Sequence, residues 1–178
     1  YSLKKKINII LGDIRDYSSV YHAAKNCDVI INMAALIGIP YSYISPLAYL
    51  RTNAEGTYNV LEAMRANSIS KIVFSSTGSV YGESPEIPTR EDGPFPIQTS
   101  LYGASKLAGE GLIAAYCEGF GFQSWIFRFV SILGNRYTHG HVYDFVKQLK
   151  KNSKKLKVLG NGYQKKSYLH VDDCIKAI

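Results

Sequence analysis

Residues 71–82 read Lys71-Ile72-Val73-Phe74-Ser75-Ser76-Thr77-Gly78-Ser79-Val80-Tyr81-Gly82. Apolar residues with strand preference run into a cluster of hydroxyls, and the stretch ends on glycine. Such a run reads as a buried strand followed by a turn. The pattern recurs on both sides of it. Upstream, Ile7 to Leu11 reads as a buried strand ended by Gly12-Asp13, and Ser18 to Lys25 as a short helix. Val29-Ile30-Ile31 is a second strand, followed by the small residues Ala34-Ala35. Ser45-Pro46 offers a capping hydroxyl and a proline at the first helical position, so it predicts a helix running to about Asn67.

Downstream, Pro85 to Pro96 holds four of the six prolines and reads as a surface loop. A helix is expected from about Ser100 to Glu118, stopped by Gly119 and Gly121. Trp125-Ile126-Phe127 is a fourth strand. A helix from about Val142 to Lys151, a short strand at Lys157-Val158-Leu159 and a last helix from Val171 complete the pattern. Strands that alternate with helices and are apolar throughout predict an α/β fold. Its core would be a doubly wound parallel sheet with helices on both faces. Ligands of such sheets bind at the carboxyl ends of the strands.

Composition narrows the function classes. The chain has 178 residues, 46% hydrophobic and 20% charged, which suits one globular domain. No apolar run reaches membrane-spanning length, and the opening residues read as entry to a strand rather than as a secretory leader. Cys27, Cys117 and Cys174 are far apart and odd in number, so they predict core thiols in a reducing cytoplasm rather than a disulfide framework or zinc site. The formal charge of +7 sits largely in Lys4-Lys5-Lys6 and in the stretch Lys147 to Lys157. Without aromatic interleaving or a recognition motif, that stretch reads as a solvated helix face, not as a nucleic-acid site. His139-Gly140-His141 has no carboxylate or cysteine at ligand spacing, so no metal is expected. His170 reads as a structural histidine among strand neighbours.

The chemistry-bearing residues lie just after the strands. Tyr102 and Lys106, four apart, share one face of the helix that starts at Ser100. A lysine ammonium near a phenol favours the phenolate, which would make Tyr102 a usable base near neutral pH. The same spacing also fits an ordinary amphipathic helix. Asp13, in Gly12-Asp13-Ile14-Arg15-Asp16, could accept a hydrogen bond from an adenine amino group with Ile14 against the ring, or could simply form a turn. Asn32-Met33-Ala34-Ala35 offers small side chains that let a flat ligand approach the backbone. The hydroxyls of Ser75 to Thr77 could bond a reacting oxygen or cap the next turn.

Taken in order, Gly-Asp-Ile-Arg-Asp, Met-Ala-Ala, Ser-Ser-Thr-x-x-Val-Tyr-Gly and Tyr-x-x-x-Lys resemble the extended short-chain dehydrogenase/reductases. More narrowly, the chain is similar to their NAD-dependent nucleotide-sugar epimerase and dehydratase group, typified by the UDP-galactose/UDP-glucose 4-epimerases. Thr52-Asn53-Ala54-Glu55-Gly56-Thr57 is similar to that group's Asn-x-x-Gly-Thr helix segment. Gly160 to Asp173 is similar to its late substrate-contacting segment.

The resemblance implies a Rossmann-like fold with NAD as cofactor, a nucleotide sugar of UDP type as substrate, and a homodimer built on helices 46–67 and 100–118. It implies that Asp13 and Ile14 flank the adenine, that Met33, Ala34, Ala35, Leu36 and Ile37 line the cofactor, and that Thr52 and Val130 lie toward the nicotinamide. Tyr102 would be the base, Lys106 would bind the nicotinamide ribose and lower the tyrosine pKa, and Thr77 would bond the sugar oxygen. Ser131 and Lys166 would face the sugar diphosphate, within a substrate-binding region at about 131–170. Residues 1–178 would form part of the cofactor-binding domain.

The departures also carry information. The group's Gly-x-x-Gly-x-x-Gly phosphate loop is absent, so the resemblance places this chain after the first βαβ unit and implies that alone it binds NAD poorly. Gly78 and Ser79 follow Thr77 where dehydratases carry an acid, which favours epimerisation. Against that, Ala35 to Tyr43 looks somewhat like the loop of certain UDP-N-acetylglucosamine 4,6-dehydratases. Ser131 stands where many members have asparagine, and Lys166 stands for arginine, which keeps the charge but loses the bidentate fork. The expectation is a 4-epimerase. A dehydratase or reductase on the same scaffold and a non-catalytic dinucleotide-sensing protein are the alternatives.

Overall fold

A computed structural model describes residues 7–93 and 97–178. The chain divides into a first unit ending at Arg128 and a second unit, Phe129–Ile178.

The first unit is built on a three-stranded sheet. β1 (Ile30–Asn32) and β2 (Lys71–Thr77) pair in parallel, Ile30 opposite Ile72 and Asn32 opposite Phe74. β3 (Gln123–Phe129) lies on the other side of β2. β2 alternates: Ile72, Phe74 and Ser76 are buried, while Val73, Ser75 and Thr77 are partly exposed. The buried side faces two helices, α4 (Gly56–Ala66) and α5 (Leu101–Phe120). Leu61, Met64, Ile72, Phe74 and Ile113 form the centre of the core. Each such side chain stabilises the fold by roughly 1.5–3 kcal/mol relative to exposure. α1 (Tyr17–Ala23), capped by Asp16, packs on α4. The apolar pattern thus builds the parallel, Rossmann-like sheet that the alternation predicts.

Ile7 to Leu11 is not a strand. Leu11 is 95% exposed, and among the described residues no ladder includes this segment. An apolar run becomes a strand only where a neighbour satisfies its backbone groups. The predicted helix 46–67 is real but broken in the middle. α3 (Pro46–Tyr49) passes into a π-helical turn, Leu50–Glu55, and then into α4. A further helix, α2 (Ile39–Ile44), precedes it, begun by Gly38 with Pro40 in its first turn. Pro85 to Gly93 is exposed loop, and Pro94, Phe95 and Pro96 lie outside the described residues. α5 starts where Ser100 caps the Gly103 amide and ends at Gly121, whose φ of 69° is a left-handed cap favouring glycine.

In the second unit, β4 (Ser131–Leu133) pairs in parallel with β5 (Tyr168–His170), and α7 (Val171–Ala177) packs on both. α6 (His141–Lys151) carries lysines in its exposed last turn. The predicted strand at 157–159 does not form. The Gln148 side chain takes both backbone groups of Lys157, and Leu159 is exposed. His170 is not a buried structural histidine: it is exposed and accepts from the Asp172 amide to cap α7. Cys174 is buried, but Cys27 is exposed, so the expectation of core thiols fails at Cys27.

Candidate active site

The end of β2 and the first turns of α5 meet at Gly103. A Cβ there would stand 2.9 Å from the Ser79 carbonyl oxygen and 2.6 Å from Gln98 Oε1. Only glycine lets the helix approach the short 3-10 turn Gly78–Tyr81 so closely. That approach sets Tyr102 beside Thr77. The Tyr102 phenol lies beside the Thr77 hydroxyl, which favours its charged form, and the residue is 8% exposed. Thr77 Oγ1 accepts from the Ser79 amide at 3.2 Å and donates to Ser79 Oγ at 3.3 Å, which holds the hydroxyl at the strand end. Its capping role and its contact with the phenol therefore coexist.

Tyr49 closes the other side. Its ring meets that of Tyr102 edge-on at 6.4 Å, and its hydroxyl donates to the Gly38 carbonyl at 2.6 Å. Burial pushes the Tyr102 phenol above the ordinary tyrosine value; the Thr77 hydroxyl pulls it back, and Tyr49 adds to the rise. The expectation that Lys106 lowers this phenol is not met. Lys106 is 1% exposed, and its ammonium lies over the Phe74 ring, 3.9 Å from the centroid. Burial brings the Lys106 pKa down to about 8, with the Glu110 charge acting in the opposite direction. The two residues share a helix face, as their spacing requires, but the lysine chain turns toward the sheet.

Two groups of residues that the sequence reading left without roles hold this arrangement. Asn53, fully buried in the π-helical turn, donates to the Leu36 carbonyl at 2.9 Å and to Ser105 Oγ at 2.9 Å. Its Oδ1 accepts from the Leu36 amide at 2.8 Å. The loop after β1 is thereby pinned to the helix that carries Tyr102 and Lys106. A π-turn often marks a functional position. Asparagine in the middle of a predicted helix, where it is a poor helix former, was the available signal. The second group is Glu110 with Arg128 and Ser76. Glu110, one turn beyond Lys106, was the signal for it.

The other predicted residues fall into three places. Met33, Ala34, Ala35, Leu36 and Ile37 form the loop after β1, with Met33 and Ile37 exposed, and Thr52 lies in the π-helical turn. Asp13 sits on the surface, its carboxylate paired with Arg15 at 2.5 Å and held down to about 2 by that hydrogen bond. A hollow of about 290 Å³ opens there, lined by Asp13, Arg15, Asp16, Arg51 and Glu55. Ile14 packs against the core cluster, and its carbonyl accepts from Asn59. Val130, Ser131 and Lys166 belong to the second unit: Val130 is exposed, Ser131 opens β4, and Lys166 lies in an exposed stretch before β5.

Against known proteins, the profile of the NAD dependent epimerase/dehydratase family matches residues 1–178. The chain belongs to that family. It is 32% identical over 180 residues to a UDP-glucose 4-epimerase of Lacticaseibacillus casei, covering 94% of this chain and 54% of that protein. Among solved structures, a UDP-galactose 4-epimerase superposes with a TM-score of 0.80 at 38% identity, covering 93% of this chain and 53% of that one. A UDP-glucuronic acid 4-epimerase of Bacillus cereus superposes with a TM-score of 0.87 at 30% identity, covering 98% and 55%. That structure holds NAD and a fluorinated UDP-glucuronic acid. The chain thus spans about half the length of these relatives. Among the described residues, no helix is long and apolar enough to cross a membrane. Nor does any group of three His, Cys, Asp or Glu side chains stand ready for a metal.

Proposed function

We propose that this chain carries the catalytic half of a nucleotide-sugar 4-epimerase acting on a UDP-sugar of the glucose/galactose type. The observation that supports this most is the burial of Tyr102 beside the Thr77 hydroxyl at a strand end, with Lys106 one turn along the same helix. The residues suit a dinucleotide. Small side chains follow β1, the loop backbone is fixed by Asn53, and a carboxylate waits at the exposed rim. Met33 to Ile37 and Thr52 would line it, with Asp13 toward the adenine and Val130 toward the nicotinamide. When bound, oxidised NAD supplies a hydride acceptor and a positive charge.

Tyr102 takes the proton from the sugar 4-hydroxyl and returns it after the sugar has turned over. Thr77 holds that oxygen. Tyr102 begins as a neutral phenol because burial dominates. A cation beside it favours the phenolate. Lys106, rotated off Phe74 toward the ribose, would provide one and orient the ribose. Proton transfer of this kind is worth about 10²–10⁴-fold in rate. Ser131 and Lys166 would meet the diphosphate, in a substrate region at about 131–170. The exposed side chains Leu47, Leu50, Tyr58 and Phe120 on the two helical stretches would bury in a homodimer.

Gly78 and Ser79, in place of an acid after Thr77, favour epimerisation over loss of water. The test is incubation of the full-length protein with NAD and UDP-glucose or UDP-galactose, followed by chromatography and mass measurement. An epimer of unchanged mass is expected. A product lighter by one water would make the protein a dehydratase, and no conversion of any UDP-sugar would overturn the enzymatic reading.

A further inference from the structure

We propose that Glu110 is a positioning residue of this site, whose carboxylate holds the Lys106 ammonium in its charged form and locks the Thr77 end of β2 against α5. The proposal rests on the reading of Tyr102 and Lys106 as the reacting pair. Tyr102, Lys106 and Glu110 are spaced by four and form one stripe along α5. Adjacent residues of β2 meet the two ends of that stripe: Thr77 lies beside Tyr102, and the Ser76 hydroxyl donates to Glu110 Oε1. The strand end therefore meets the helix on either side of the lysine and is bonded to it at Glu110.

The carboxylate is 6% exposed and has a second partner. Arg128, on β3, donates through Nε at 3.1 Å and Nη2 at 2.8 Å to Glu110 Oε2. Its Nη1 donates to the Glu91 carbonyl at 3.1 Å, and its guanidinium stacks on Tyr81 at 4.7 Å. One carboxylate thus joins α5, β2, β3, the turn after β2 and the proline-rich loop. The charged groups around it are Lys106 on its own helix and Arg128 from β3; Ser76 comes from β2, and Tyr81 is reached through Arg128.

A plain structural ion pair would need Arg128 alone. The lysine one turn before supplies the further argument. Lys106 is almost completely buried and lies on an aromatic face rather than on a carboxylate, so its charge depends on a field from nearby. Glu110 is the carboxylate whose charge supports it. Without that charge, a buried ammonium loses its proton more readily.

The decisive experiment is an NMR titration of the Lys106 side chain, followed at Cε and Nζ, in the 178-residue chain and its Glu110→Gln and Glu110→Asp variants. The wild-type midpoint is expected near about 8. In Glu110→Gln it should fall by about one pH unit. In Glu110→Asp, which keeps the charge but withdraws it from Ser76, it should fall by less. An unmoved midpoint in a folded Glu110→Gln chain overturns the proposal. If that variant does not fold, an unmoved midpoint in Glu110→Asp does so. The measurement contains neither sugar nor cofactor. A protein that converts no UDP-sugar would therefore defeat the enzymatic reading while the titration still judged Glu110.

Discussion

Around Tyr102, each neighbouring element is tied to another by a buried polar contact. Asn53 binds the β1 loop to α5, and Glu110 binds β2 and β3 to α5, with Thr77 at the β2 end beside Tyr102. Around Asp13, all is surface: its partner Arg15 is two residues away, and the apolar run before it is exposed. The first region is built to hold a geometry, as the proposed proton transfer requires. The second can only add affinity, because an exposed pair in water stabilises little. The contrast separates residues whose loss should damage fold and chemistry together from those whose loss should cost binding alone.

The sharpest way to break this contrast is Asn53→Ala. It leaves the Leu36 amide and carbonyl and the Ser105 hydroxyl without their partner in the interior. Denaturant unfolding should show a loss of about 2–4 kcal/mol. A loss near zero would mean that the loop after β1 is not held from α5.

Next comes the pH dependence that Lys106 imposes. Its folded pKa, about 8, lies below the value of an unfolded lysine, so between these values the unfolded chain binds more protons. Stability from this group therefore rises with pH across that window. Tyr102 acts in the opposite direction only above its ordinary pKa of 10, where its raised folded value makes the native state keep its proton longer. From pH 8 to 10 the wild type should gain stability over Lys106→Met, up to about 3 kcal/mol at full deprotonation. Parallel pH curves for the two proteins would show that the lysine is not buried in its charged form.

The smallest effect is expected at the rim. Asp13→Asn should weaken NAD binding by roughly tenfold or less, the scale of one hydrogen bond to a charged group. Turnover at saturating NAD should not change. A fall in turnover would place Asp13 among the residues that shape the reacting centre and erase the distinction.

What could be read from the sequence follows the same divide. The strands around Ile30 and Phe74, the cap at Ser100 and the stop at Gly121 were legible because local pattern and tertiary context agree there. Ile7 to Leu11 has the composition of a strand, but composition says nothing of a neighbour to pair with. Lys157 to Leu159 failed because a side chain, Gln148, reached its backbone first. The β5 strand was legible only as the strand neighbours of His170, because Tyr168-Leu169-His170 is short and its partner lies far away in the chain. The π-turn at Leu50–Glu55 left no periodic trace beyond the asparagine at its centre.

At the site, spacing put Tyr102 and Lys106 on one face but could not say where the lysine chain would turn. The aromatic face of Phe74, which receives the ammonium, decided that, and it depends on the packed sheet. Glu110 and Arg128 are separated by 18 residues. No local pattern joins them.

The central claim is that Tyr102 moves the proton of the sugar hydroxyl. The direct measurement is the rate of interconversion of UDP-glucose and UDP-galactose by the full-length wild-type protein and its Tyr102→Phe variant, with NAD binding followed in both. The variant is expected to bind NAD as the wild type does and to turn over about 10²–10⁴-fold more slowly. Turnover at the wild-type rate with the phenol hydroxyl removed would contradict the account.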